Sequence, residues 1–212
     1  MAILHAEGAQ SGVISRRMSP HQMASLLVLH GVKDITNELD FQRRSAEPFA
    51  RGGFGSIYRG KLQDGRLVAI KYIYLRDCEE LELKGKRCKH AAHKLYTWSK
   101  CDHPGILKAL GFAIFEEFIV LVSPLMQNGP LTNHLVRENL CNRLKFCIDL
   151  TETVEYLHRN GIFHGDIKAD NILVSDNKEV QLADFGSATL TEYHTLLFTW
   201  TSPQFACSIR FT

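Results

Sequence analysis

Apolar residues recur along this chain with two different periods. Met23, Leu26, Leu27 and His30 follow one another at steps of three and four, which predicts a short amphipathic helix over about 20–30. Its ends are written locally. Ser19 can cap it, Pro20 has the preset φ of a first helical residue, Gln22 completes a capping box and Gly31 stops it. Such a helix either docks on the rest of the chain or binds a partner. Leu140, Leu144, Cys147, Leu150, Val154 and Leu157 repeat the helical step and predict a longer core helix. Phe118-Ile119-Val120-Leu121-Val122 is instead a continuous apolar run, the signature of a buried strand. Ile172-Leu173-Val174 and Val180-Gln181-Leu182 predict a hairpin around Asp176-Asn177. Residues 1–18 carry no period and are expected to be mobile.

Composition narrows the class only a little. At 212 residues there is room for one domain with a real core, or one and a fraction. Hydrophobic residues at 45% and charged ones at 23% are those of an ordinary soluble protein. A net charge of +2 argues no affinity for nucleic acid. No apolar run reaches the ~18 residues of a membrane span, so no membrane partner is expected. The six cysteines show no CxxC pair and no framework spacing, which suits reduced thiols in an intracellular, cytoplasmic protein. Cys88, His90 and His93 do not make a closed metal-ligand set.

The chemistry is concentrated in His164-Gly165-Asp166-Ile167-Lys168-Ala169-Asp170-Asn171 and in Asp184-Phe185-Gly186, thirteen residues after Asn171. A carboxylate, a lysine two residues on and an asparagine five on can together orient a hydroxyl, meet a phosphoryl group and hold a hard cation. Upstream, Phe49-Ala50-Arg51-Gly52-Gly53-Phe54-Gly55-Ser56-Ile57 is a glycine-rich stretch able to bring backbone N–H groups close to phosphates. After the turn at Gln63-Asp64-Gly65 comes Val68-Ala69-Ile70-Lys71. Later, Ser123-Pro124-Leu125-Met126 leads out of the apolar run.

In this order these motifs resemble those of the protein kinase family, serine/threonine type. The resemblance covers about 46–204. It implies an α+β, bilobal fold: a small antiparallel β-sheet lobe with an αC helix (46–126, including the hinge) and an incomplete, mainly helical large lobe (127–212), preceded by an extension over 1–45. It further implies ATP and Mg²⁺ as cofactors and a protein as acceptor. Asp166, Lys168 and Lys71 are then the catalytic residues, and Asn171 and Asp184 the metal ligands. Gly52, Gly53, Phe54, Gly55, Ile57, Ala69, Lys71, Pro124, Met126 and Leu173 line the nucleotide site, with Ser123 behind the adenine. His93–Cys101, H-G-D-x-K and Trp200-Thr201-Ser202-Pro203 also look like a group of fungal kinase-like proteins.

Several positions depart from the family pattern. Ala50 stands for the first loop glycine, Gly165 for the arginine of H-R-D, and Ser202-Pro203-Gln204 for A-P-E. Without that arginine, phosphorylation at Thr189, Thr191, Tyr193 or Thr195 is not expected to switch the protein by the usual pairing. The αC glutamate falls nine residues before His103, on Lys94. Lys94 facing Lys71 at ~4 Å would cost on the order of 4 kcal/mol at an effective dielectric of 20, so either an outswung αC helix or a Lys94 turned to solvent is expected. Lys84, Lys86, Arg87, Lys89 and Lys94 otherwise make a solvated cationic face, or a surface for an acidic partner. With only eight residues after Gln204, the helix at 140–160 should expose apolar surface that a partner would cover. Three functions stay open: a protein kinase of weak activity, a pseudokinase or scaffold, and a small-molecule phosphotransferase. The last shares H-G-D but lacks D-F-G.

Overall fold

The computed structural model describes residues 12–52, 55–73, 80–138, 142–190 and 196–198, with only the backbone at 80–83 and 196–198. In chain order the strands are β1 (Gly12–Ile14), β2 (Leu39–Asp40), β3 (Ala50–Gly52), β4 (Gly55–Leu62), β5 (Leu67–Ile73), β6 (Gly111–Phe115), β7 (Phe118–Pro124), β8 (Ile162–Phe163), β9 (Ile172–Val174), β10 (Val180–Leu182), β11 (Thr189–Leu190) and β12 (Leu196–Phe198). The helices are α1 (Pro20–Leu29), α2 (Glu80–Ser99), α3 (Leu131–Arg137) and α4 (Arg143–Arg159). Strands β2, β4, β5, β7 and β6 form one antiparallel sheet in that order, with β3 also on β4. Beyond β7 the described chain carries α3 and α4 beside strands of only two or three residues, so the α+β expectation holds.

Strand alternation decides what faces the site. In β5, Val68 and Ile70 are buried in a small cluster with Ile35, Leu39 and Leu62 on one face. Period two therefore sends Ala69 and Lys71 to the other face, which α2 and the catalytic loop share. Strand β7 is apolar without a break because both its faces are covered. Ile119 and Leu121 join the main core, and Val120 and Val122 join the small cluster. The β4–β5 turn is the expected one, with Gly65 at φ +95°. The β9–β10 hairpin also forms as expected, in the register Val174 to Val180.

Helix α1 begins as its sequence dictates. The Ser19 hydroxyl accepts from the Gln22 N–H, and the Ser19 N–H donates to the Gln22 side chain at 2.8 Å. The helix docks: Met23 and Leu27 are fully buried in the core that α2 shares. The expectation of mobility fails over 12–18. Strand β1 pairs in parallel with β12, and Ile14 is fully buried. The chain then crosses α2 at Gly85, where a Cβ would collide with the Arg16 carbonyl oxygen. Three residues are too few for a periodicity signal, and their pairing partner lies far along the chain. Residues 1–11 lie outside the described ones.

The cationic face of α2 is corrected by the same docking. Lys89 and Lys94 are 7% and 6% exposed, and Lys84, Lys86 and Arg87 are half-buried. A helix held between a sheet and α1 has little surface left for solvent, so its charges go to the seams. Cys88 is buried and contacts the Glu117 carbonyl oxygen, and no cluster of three or more histidine, cysteine, aspartate or glutamate side chains placed to share a metal occurs among the described residues. His90 and His93 are half-buried, and their pKa values are held down to about 4. Burial is the main cause for both, with repulsion from Lys94 and Lys89 and, at His93, from His90. Below pH ~6.5 the unfolded chain takes up protons that these folded rings refuse. Their stabilisation is complete above that pH and is lost towards pH 4, by up to ~1.4 kcal/mol per ring per pH unit. The melting temperature should therefore fall steeply from pH 6.5 to 4.5, and less steeply in His90→Gln/His93→Gln. An unchanged slope in the double variant would place the acid sensitivity elsewhere.

Helix α4 also differs from its sequence stripe. Its buried line is Phe146, Thr153 and Leu157, with Leu150 half-buried, whereas Leu144 is 72% and Ile148 49% exposed. Leu140 lies outside the described residues. Phe146 is drawn inward by His134, with the ring centres 6.1 Å apart. Thr153 sits so close to Gly105 that a Cβ there would collide with its hydroxyl. These two contacts turn the first half of the expected stripe outward. The expectation of exposed apolar surface on this helix holds.

Candidate active site

Between β8 and β9 the chain forms only the short 3₁₀ turn Ala169–Asn171, and its other polar groups are satisfied one by one. His164 is 2% exposed. Its Nε2 lies 2.9 Å from the Ala183 carbonyl oxygen, and the Asp166 N–H reaches its Nδ1 at 3.3 Å. A carbonyl on one side and an N–H on the other require the Nε2–H tautomer. Burial holds the ring's pKa below its ordinary value, against the pull of the Ala183 bond and of Asp184 and Asp166. The Ala183 N–H donates to the Asn171 carbonyl at 2.8 Å, so the loop is tied directly to the residue before Asp184. Phe185 packs edge-on against His164 and stacks on Trp98, with centroids 4.9 and 6.2 Å apart.

On this frame three expected catalytic and metal-binding residues meet. Lys168 Nζ donates to Asp166 Oδ2 at 2.8 Å, and Asn171 Nδ2 donates to the same oxygen at 2.9 Å and to the Asp166 carbonyl at 2.8 Å. The Lys168 bond, aided by the Asn171 amide, holds the Asp166 carboxyl below its ordinary range. Asp166 is therefore ionised and can accept a proton only from a group placed beside it. Gly165 has φ +77°, and a Cβ there would lie 2.7 Å from the Ser187 carbonyl oxygen. The glycine in place of arginine thus fits a close approach of the loop to the segment after D-F-G.

Lys71 and Asp184 form an ion pair at 2.6 Å. Asp184 is left-handed, at φ 60° and ψ 65°. Burial raises its pKa, but the Lys71 charge and hydrogen bond, together with Lys94, more than offset this, and the net shift is downward. Lys94 meets neither expectation. The α2 helix stays against the site and Lys94 is buried, not turned to solvent. A Cβ on Gly186 would lie 2.9 Å from both Asp184 Oδ1 and Lys94 Nζ, so this glycine is what lets the two groups flank it. The carboxylate between the lysines offsets their repulsion. Burial, and then the Lys71 charge, still lower the Lys94 pKa to about 8. Sequence reasoning missed this because it weighed Lys94 against Lys71 alone. The signal was the wide apolar arc of Ala91, Ala92, Leu95, Tyr96 and Trp98 around it.

The rest of the expected nucleotide site is only partly described. Gly53 and Phe54 lie outside the described residues. Gly52 is exposed at the end of β3, and a Cβ at Gly55 would collide with the Tyr72 carbonyl oxygen across the β4–β5 ladder. Ile57 lies opposite Lys71 in that ladder, and Ala69 pairs with Ser123 of β7. Ser123 is buried and donates to the Pro124 carbonyl at 3.3 Å. The Met126 carbonyl accepts from the Gly129 N–H at 3.1 Å. Leu173 is half-buried and bridged to Pro130, which brings β9 beneath this link.

The class follows from the combination of a lysine-bearing six-strand sheet, a helix behind it and these two loops. Residues 45–207 match the family model described as protein kinase domain. The chain belongs to the protein kinase family, and its fold is that family's bilobal one. It is 36% identical over 157 residues to calmodulin-binding receptor-like cytoplasmic kinase 1 of Arabidopsis thaliana, covering 69% of this chain and 32% of that protein. It is 30% identical over 192 residues to wall-associated receptor kinase 3 of the same plant, covering 84% and 24%. The chain thus spans a third or less of the length of these relatives. Both are plant proteins, and they lend no support to the fungal likeness. No helix among the described residues is long and apolar enough to cross a membrane.

Proposed function

We propose that this chain binds ATP with Mg²⁺ and transfers the terminal phosphoryl group to serine or threonine hydroxyls of proteins inside the cell. The observation that carries this is the Asp166 carboxylate held by Lys168 and Asn171, on a loop hydrogen-bonded to the residue before Asp184. Asp166 orients the acceptor hydroxyl and takes its proton as the phosphoryl group leaves. Lys168 beside it neutralises the transferred group, and Lys71 the α- and β-phosphates. The donor set fits a hard cation. Asp184 offers a carboxylate, and Asn171, its amide nitrogen already bound to Asp166, offers an amide oxygen. When bound, the cation supplies positive charge to the β- and γ-phosphate oxygens. The lysine after Asp166 supports serine/threonine over tyrosine acceptors. The exposed Leu144 and Ile148 on the outward face of α4 support a protein partner there.

The buried Lys94 favours a second reading, a pseudokinase that binds nucleotide or a partner without efficient transfer. A thermal melt tests the nucleotide binding on which the first reading depends. Mg·ATP at about 100 times its Kd should stabilise the protein by ~2.7 kcal/mol, roughly 5–10 °C at this size, and much less in Lys71→Met. A cooperative melt that nucleotide leaves unmoved would reject ATP binding and leave the scaffold reading.

A further inference from the structure

Among the described residues, two lysines act on the one carboxylate of Asp184. One carboxylate is shared by Lys71 at 2.6 Å and by Lys94, which flanks the same Gly186 at 2.9 Å from the position of its missing side chain. Lys94 is buried, and α2 is fixed by α1 and the sheet, so its ammonium has no easy route away. A glutamate at this position would draw Lys71 towards α2 and leave the Asp184 carboxylate for a divalent ion. Lysine does the reverse.

We propose that Lys94 is a positioning residue that takes over part of the role of the divalent cation, holding Asp184 in place and making nucleotide binding largely independent of metal. This rests on the nucleotide site proposed above. Lys71, Lys94 and Asp184 together carry one net positive charge before any ion enters, which favours a polyphosphate directly. A divalent cation entering to reach Asp184 must share it with two ammonium groups, so metal and nucleotide help each other little. Because such coupling is reciprocal, a weak effect of metal on nucleotide means an equally weak effect of nucleotide on metal. The Asp184 conformation is likewise held by protein charges and needs no ion for its neutralisation.

The test is a titration with a ribose-labelled fluorescent ATP analogue, in EDTA and in excess Mg²⁺, on wild type, Lys94→Arg, Lys94→Met and Lys94→Glu. Melting curves for each variant show that it is folded, and Lys94→Met keeps the stem without the charge if the glutamate variant fails to fold. Wild type and Lys94→Arg should bind in EDTA within about threefold of their affinity in Mg²⁺. Lys94→Met and Lys94→Glu should show a ratio of about tenfold or more, a separation that ordinary loss of packing would not produce. Wild-type binding that disappears in EDTA overturns the inference while leaving the nucleotide site standing. An unchanged ratio in Lys94→Met overturns it too. No binding in either buffer overturns the nucleotide site itself, and this inference with it.

Discussion

Asp166→Ala is expected to lower phosphoryl transfer by about 10²–10⁴-fold while nucleotide affinity stays within a few-fold of wild type. The carboxylate is the acceptor for Lys168 and Asn171, and its removal takes away both the group that orients the attacking hydroxyl and the anchor of its neighbours. The effect on folding should be small. The side chains of Asp166 and Lys168 are 28% and 51% exposed, so water replaces the lost bonds at little cost. The frame beneath, His164 on Ala183 and Ala183 on Asn171, does not use the Asp166 carboxylate. Single-turnover transfer to a serine- and threonine-rich protein, measured beside nucleotide affinity, checks this. Transfer that survives the substitution, or a loss explained by weaker nucleotide binding, would remove Asp166 from the reaction.

The largest effect on stability should come from outside the region matched to the family. Leu27→Ala is expected to cost about 2–5 kcal/mol, lowering the melting temperature by roughly 5–15 °C. Leu27 has no exposed surface, and its carbonyl accepts from the Val32 N–H at 2.9 Å where α1 ends. It packs in the same core as Leu95 and Tyr96 of α2, so a cavity there loosens the helix that carries Lys94. Leu29, 62% exposed two residues on, supplies the control, and Leu29→Ala should stay within about 0.5 kcal/mol. If the two variants melt alike, α1 is not part of the core. If Leu27→Ala melts early, residues before 45 help to build the site.

What could be read in advance depended on whether the cause was local. The capping box at Ser19 and Gln22, the double-sided burial of β7 and the β9–β10 hairpin are set by neighbours in sequence, and all were legible. The grouping of Asp166, Lys168 and Asn171 was legible as well, because one short loop carries all three. The failures share a different cause. Lys89 was read as solvated because its cover comes from the segment around Arg16, some seventy residues earlier, and Lys94 because its cover comes from the loop at Asp184 and Gly186, some ninety residues later. Ile14 was read as mobile because its strand needs β12, at the far end of the described chain. Leu144 was read as buried because spacing cannot tell which of two adjacent helix faces meets His134 and Gly105. Charge was misjudged for the same reason, since Lys94 was weighed against Lys71 alone and in the fold also meets Asp184.

Trp98 stands at the junction of these parts. Its indole N–H donates to the Leu107 carbonyl at 2.6 Å, and its ring lies nearly parallel to that of Phe185, at 11°. The chain has one other tryptophan, Trp200, so Trp200→Phe leaves a protein with a single tryptophan, in contact with the D-F-G phenylalanine and excited apart from the tyrosines at long wavelength. The molecule therefore carries its own optical gauge. Any ligand that swings Phe185 away will change the colour and intensity of that emission, and one that binds without moving it will leave the spectrum still.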